Sequence, residues 1–164
     1  MIEIRSLHKN DPFDDLVSLS REFFREYEAH HKDFFKIDHL KDEDIVGYFT
    51  SFCDQDTRAA FIAVADEQVV GYITAYVKDQ ADYWQFKKVG DISGLMVRKD
   101  YRHRRIAKRL LVKAKDFFEA KGLKYCIVFT AAENRGALDF YQQNGFVPLY
   151  TTMIGEISAM ISET

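Results

Sequence analysis

Between Val89 and Thr130 an apolar run (VGDISGLMV), a burst of charge, a long periodic segment and a second apolar run (YCIVFT) follow one another without a break. Ile106, Leu110, Leu111, Ala114, Phe117 and Phe118 recur with a 3.6-residue period, and Gly122 stands where a helix commonly ends. The middle segment is therefore an amphipathic helix, and the flanking runs are strands. A strand–helix–strand crossover of this kind commits the chain to an α/β sheet with at least one face covered.

The remaining pattern fills in that sheet. Ile2 and Ile4 alternate with Glu3 and Arg5, which predicts a short first strand. Asp11 followed by Pro12 resembles a helix start, and Leu16, Leu19, Phe23 and Tyr27 continue it to about Glu28. Ile45, Tyr48, Phe49 and Phe52 lie on one side of a second helix from Asp42 to Phe52. AAFIAVA (59–65) and VVGYITAYV (69–77) flank Asp66-Glu67-Gln68 and predict a hairpin. Gly94 marks a bulge in the Val89–Val97 strand, Asn134 to Asn144 forms a short helix ended by Gly145, and Phe146 to Ile157 supplies one or two final strands. The expected architecture is a mixed, mostly antiparallel central sheet of six or seven strands with about four helices on both faces.

A length of 164 residues predicts one domain, 1–164, and 47% hydrophobic residues are enough for its core. Two cysteines, Cys53 and Cys126, provide neither a disulfide framework nor a metal knuckle, which points to a reducing compartment. No apolar run approaches the ~18 residues of a membrane span, and the amino terminus lacks a signal-peptide core. A cytoplasmic protein without a membrane partner is expected. The net charge of −3 argues against general nucleic-acid binding.

One local cluster opposes that total. Arg98 to Arg109 holds seven Lys or Arg immediately before the long helix. A loop entering a helix presents unpaired N–H groups and the positive end of the helix dipole, so these cations extend a ready phosphate site. Taken alone, the run reads equally as a solvated basic face.

Two segments narrow the choice. Val97-Arg98-Lys99-Asp100-Tyr101-Arg102-His103-Arg104-Arg105-Ile106-Ala107-Lys108-Arg109-Leu110-Leu111 is similar to V-x-P-x-Y-R-G-x-G-[IV]-[GA]-x-x-L-[LI], with about half the positions in agreement. Asn134 to Phe146 (NRGALDFYQQNGF) matches N-x-x-[AG]-x-x-[FL]-Y-x-x-x-G-F at every defined position. Together they resemble the GNAT superfamily of acyl-CoA-dependent N-acetyltransferases, from about Asp91 to Phe146.

The resemblance implies acetyl-CoA as co-substrate and a cofactor-binding set of Leu95, Met96, Val97, Arg102, His103, Arg104, Arg105, Ile106, Ala107, Lys108, Asn134 and Tyr141. Leu95, Met96 and Val97 would lend backbone groups to the acetyl carbonyl and pantetheine amides, and Asn134 would hold the cofactor arm. As an isolated residue Asn134 reads as a helix cap. The family usually has glycine where this chain has His103 and Arg105. Arg105 therefore either points away or clamps a phosphate, or it blocks the loop. The resemblance makes Tyr141 the acid that protonates the departing thiolate, a role that suits a phenol of ordinary pKa ~10. Its alternative is a core aromatic.

Only a neutral amine attacks a thioester, so a base is expected. Asp91 is the first candidate, although it also reads as a strand-end carboxylate paired with a Lys, and Glu26 and Glu28 are alternatives. His30, His31, Asp33, Asp38 and His39 fit no metal-ligand spacing, and no metal is expected. Phe34, Phe35, Tyr83, Trp84 and Phe86 are candidates for cradling an amine, or are core or a dimer surface. The expected reaction is acetyl transfer from acetyl-CoA to a primary amine by direct attack in a ternary complex. The alternative is a non-catalytic acyl-CoA-sensing module with a degenerate loop. The final strand, Tyr150 to Ile157, is a candidate homodimer contact.

Overall fold

In the computed structural model, which describes residues 1–163, Asp66 and Glu67 take φ of 49° and 65°. Two consecutive left-handed residues form the turn whose twist matches an antiparallel hairpin. β2 (Arg58–Ala65) and β3 (Gln68–Asp79) leave that turn paired, with Ala65 opposite Gln68. β1 (Ile2–Ser6) pairs antiparallel with β2, β4 (Lys88–Val97) antiparallel with β3, and β5 (Cys126–Val128) parallel with β4. The spatial order is β1-β2-β3-β4-β5.

Side-chain alternation divides the core into two layers. α1 (Asp14–Glu28) and α2 (Asp42–Thr50) bury Leu16, Leu19, Ile45 and Phe49 against Ile62, Tyr72 and Met96 on one face. α3 (Ile106–Ala120) and α4 (Arg135–Gln143) cover the other, where Ile106, Leu110, Ala114, Phe118 and Tyr141 meet Val70, Ile73, Ala75 and Ile92. Each such fully buried aliphatic side chain stabilises the fold by about 1.5–3 kcal/mol. α3 packs closest where β4 lacks a side chain: a Cβ at Gly90 would sit 2.7 Å from the Phe118 ring.

The helix starts differ slightly from expectation. Asp11 does not cap α1, whose N-cap is Phe13 with no side-chain bond. Asp11 instead accepts two 2.8 Å hydrogen bonds from Arg5 and a third from the His8 N–H. Arg5 holds the Asp11 carboxyl below its ordinary pKa. α3 begins at Ile106, three residues after the expected start, because His103 and Arg105 take φ of 62° and 61°.

The sheet has five strands, not six or seven. Beyond Phe146 the chain forms no strand among the described residues, only a short 3-10 turn at Ile157–Ala159. Val147, Leu149, Tyr150, Met153 and Ile154 have the residue types of strands, yet all are exposed, from 57% to 89%. Strand propensity reports fitness for a half-buried pleated surface, and β5, three residues long, offers these side chains little edge to join. Pro148 also lacks a ladder donor. The expected Tyr150–Ile157 strand is thus absent.

Candidate active site

At the carboxyl end of β4 the chain turns through Lys99–Tyr101 and enters α3. Among the described residues, no protein acceptor takes the backbone N–H groups of His103 through Lys108. These donors line a cavity of about 200 Å³ bordered by Val97, Tyr101, His103, Arg105, Ala107 and Phe140. The loop holds the left-handed backbone at both positions where glycine was expected, at a cost of about 1–2 kcal/mol per residue. Arg105 is exposed and makes no hydrogen bond through its side chain, so its guanidinium does not fill the cradle from within the fold.

Arg102 is turned inward. It donates to the Val97 carbonyl at 2.9 Å and to Glu26 at 2.9 Å, and Lys99 also reaches Glu26 at 3.7 Å. This network ties the loop to α1. It occupies Arg102, expected to bind cofactor, and Glu26, expected as a possible base. Glu28 accepts the Ile37 N–H and is likewise engaged. Arg104 stacks on Tyr101, 4.8 Å from the ring centre. Ala107 and Lys108 lie on the first turn of α3, Lys108 exposed, while Ile106 is buried beneath the turn.

β4 and β5 part company early. They pair only from Gly90 to Ile92 against Cys126 to Val128, so Ser93 to Val97 leave one edge of β4 without a strand partner. The backbone groups of Leu95, Met96 and Val97 lie along that open edge. β4 is also bulged: Thr74 pairs with Gly94 while Ala75 pairs with Ile92, which leaves Ser93 as the extra residue. Asn134 starts α4 and accepts the Ala137 N–H at 3.1 Å, so its side-chain oxygen caps the helix.

Tyr141 stands at the head of this opening on the α3 side. Its ring packs between Phe140 and Phe146, each 5.2 Å away. Burial, reinforced by Cys126, raises its pKa. The hydroxyl has no protein partner and is not fully enclosed. Burial and then Asp91 push the Cys126 thiol up to about 12, which removes it as a nucleophile.

The opposite face carries the polar groups. Asp91 is 5% exposed, and burial raises its pKa while Lys78, 3.8 Å away, and the neighbouring Tyr76 hydroxyl oppose that rise. One register step on, Tyr48, Ser93 and Thr74 close a hydroxyl ring with contacts of 2.9, 2.9 and 3.0 Å. No aromatic cage forms beside it. Tyr83 and Trp84 are exposed on the β3–β4 connection, and Phe34 and Phe35 pair near the end of α1, with Phe35 4.5 Å from Tyr27. The His30–His39 segment gathers no ligand set among the described residues, and His31 Nδ1 accepts the Phe34 N–H instead.

The Acetyltransferase (GNAT) family model matches residues 13–146. The chain belongs to this family. Among solved structures it is similar to aminoglycoside N-acetyltransferase AAC(6')-Iy in complex with a bisubstrate analogue (CoA-S-monomethyl-acetylneamine), at 20% identity and a TM-score of 0.72, covering 95% of this chain and 97% of that one. A mutant of protein BH1408 from Bacillus halodurans gives a TM-score of 0.82 at 17% identity, covering 94% and 99%. Glucosamine-6-phosphate N-acetyltransferase from Arabidopsis thaliana gives 0.70 at 15%, covering 96% and 99%. No curated protein matches the chain.

In this GNAT chain the polar face was the part that sequence reasoning missed. Tyr48 was visible only as one of four aromatic or aliphatic residues on α2. Thr74 and Ser93 carry no motif, because the bulge beside Gly94 brings them together only after β3 and β4 pair. Arg58, Tyr76 and Lys78 could have been found by extending the alternation of Ala60 and Ile62 outward and across the hairpin.

Proposed function

We propose that this GNAT protein transfers an acetyl group from acetyl-CoA to a primary amine by direct attack in a ternary complex. The observation that carries this reading is the juxtaposition of six unpartnered N–H groups, His103 through Lys108, with the open edge of β4 from Ser93 to Val97. The amides and the start of α3 suit a pyrophosphate, with Arg104, Arg105 and Lys108 adding charge. The β4 edge suits the pantetheine amides, and an N–H there polarises the thioester carbonyl.

Asp91 takes the proton that the acceptor nitrogen must lose. The nitrogen lone pair then forms the new C–N bond, the C–S bond breaks, and Tyr141 returns a proton to the leaving thiolate. A buried carboxyl with a raised pKa is a stronger base than an exposed one, and the unpartnered hydroxyl of Tyr141 is free to donate. Most of the acceleration comes from positioning two substrates across the opening. Two of the similar structures are named as acetyltransferases of amino-sugar compounds, which supports an amine acceptor.

Calorimetric titration with acetyl-CoA, followed by thiol-release assays over an amine panel, tests the reading. Micromolar binding and amine-dependent thiol release are expected. Absence of acetyl-CoA binding overturns it, and binding without release from any amine leaves an acyl-CoA sensor. The exposed apolar side chains of residues 147–154 further support a homodimer. Sedimentation should then show a dimer that a chain ending at Gly145 does not form; a monomeric full chain refutes it.

A further inference from the structure

Arg5, Arg21, Arg98 and Arg102 each meet a carboxylate. Arg58 meets none among the described residues, and its side chain donates no hydrogen bond, although its Nε is fully buried. A half-buried guanidinium with unused donors stands out in a fold that pairs its other buried polar side-chain groups. Its plane is fixed by stacking, 4.4 Å from the Phe52 ring centre and 5.7 Å from that of Tyr76. Holding the fork against two rings sets the direction of its remaining donors before any ligand arrives.

The register places this cation in the site. Arg58 of β2 is directly opposite Tyr76 of β3, which is directly opposite Asp91 of β4. The three therefore form one row across the α1–α2 face, and two strand spacings separate Arg58 from Asp91 by about 10 Å. Lys78 lies on the same face, two residues along β3 from Tyr76, and its only acidic partner is Asp91. The row thus has a carboxyl at one end, a lysine beside it and an unpaired arginine at the other end.

We infer that Arg58, assisted by Lys78, binds an oxyanion on the acceptor, so that the substrate is an amine carrying a phosphate or carboxylate about 10 Å or less from the reacting nitrogen. The inference rests on the acetyltransferase reading and deepens it. The amine lies toward Asp91 and the open β4 edge, and the acidic group lies toward Arg58. A polycationic acceptor leaves Arg58 unsatisfied and places like charges beside it, so it is disfavoured.

The test uses the full-length protein saturated with CoA, so that the basic loop before α3 is occupied and does not supply the anion site. Binding is measured for two matched pairs: glucosamine-6-phosphate against glucosamine, and 6-aminohexanoate against hexylamine. The acidic member of at least one pair should bind at least about tenfold more tightly, and the pair that discriminates identifies the oxyanion. Arg58→Leu should abolish the preference, Arg58→Lys should keep part of it, and Lys78→Met should reduce it. If Arg58→Leu does not fold, the other two variants carry the test. Equal binding within both pairs, no binding by any of the four, or a preference that survives all three variants overturns the inference. Thiol release with the same four amines separates the two readings. Release without discrimination overturns the oxyanion site alone, and discrimination without release overturns the acetyltransferase reading alone.

Discussion

On the α3 side of β4, Gly90, Ile92, Leu95 and Val97 meet apolar residues, and the polar work there is done by backbone N–H groups of the loop that follows. On the α1–α2 side, Asp91, Ser93 and the Gly94 backbone meet Tyr76, Lys78, Tyr48 and Thr74, and the polar work is done by side chains. Main-chain donors read a group common to every acyl-CoA, so they tolerate changes of residue type. Side-chain donors read whatever the second substrate presents, so each identity matters. The contrast teaches that mutational sensitivity should divide by face.

The largest effect that breaks the contrast is at Asp91. Asp91→Asn should lower kcat by about 100-fold while acetyl-CoA affinity stays nearly unchanged, as rate and calorimetric measurements would show. In the wild type, activity should fall as pH drops through the Asp91 pKa, above the ordinary carboxylate value, and the variant should lose that limb. Stability runs the other way. A raised folded-state pKa means the folded chain holds this proton more tightly, so the contribution of Asp91 is full below its unfolded pKa and declines as pH rises through the folded one. Asp91→Asn should therefore melt no lower than the wild type at neutral pH.

A charge reversal at the loop is next. Arg105→Glu should weaken acetyl-CoA by about 10- to 100-fold in calorimetry, with binding of acidic amines to the CoA-free protein at Arg58 unaffected. Tyr141→Phe sharpens the comparison, because the ring lies in the core and the hydroxyl has no protein partner. It should lower kcat about tenfold and leave thermal stability within about 0.5 kcal/mol. The smallest effect is at the loop backbone. Arg105→Gly should raise stability by about 0.5–1 kcal/mol by relieving the left-handed residue, net of the entropy glycine adds to the unfolded chain. A destabilised Arg105→Gly refutes the strain argument.

Periodicity made α1, α2, α3 and α4 legible, and alternation with turn residues did the same for β1 to β4, because each pattern is local. The Asn134–Phe146 motif was equally plain. Two features were not. The loop at His103 and Arg105 keeps its backbone path without the glycines, since β4 on one side and α3 on the other fix its ends. Residues 146–157 carry strand-forming types but have no strand to pair with, and pairing partners are a property of the whole sheet. The Arg58–Tyr76–Asp91 row was illegible for the same reason, as it joins three strands 15 to 18 residues apart in sequence.

Ser93 has one more consequence. Because Ala75 and Thr74 are adjacent on β3 while their partners Ile92 and Gly94 are not, removing Ser93 leaves a strand in perfect alternation, with Asp91, Gly94 and Met96 on one side and Ile92, Leu95 and Val97 on the other. The irregular residue is an insertion that the core does not register. A single-codon deletion should thus yield a folded protein with every interior contact in place and its reactive edge straightened, a neighbouring form of the same domain from which the active one differs by one amino acid.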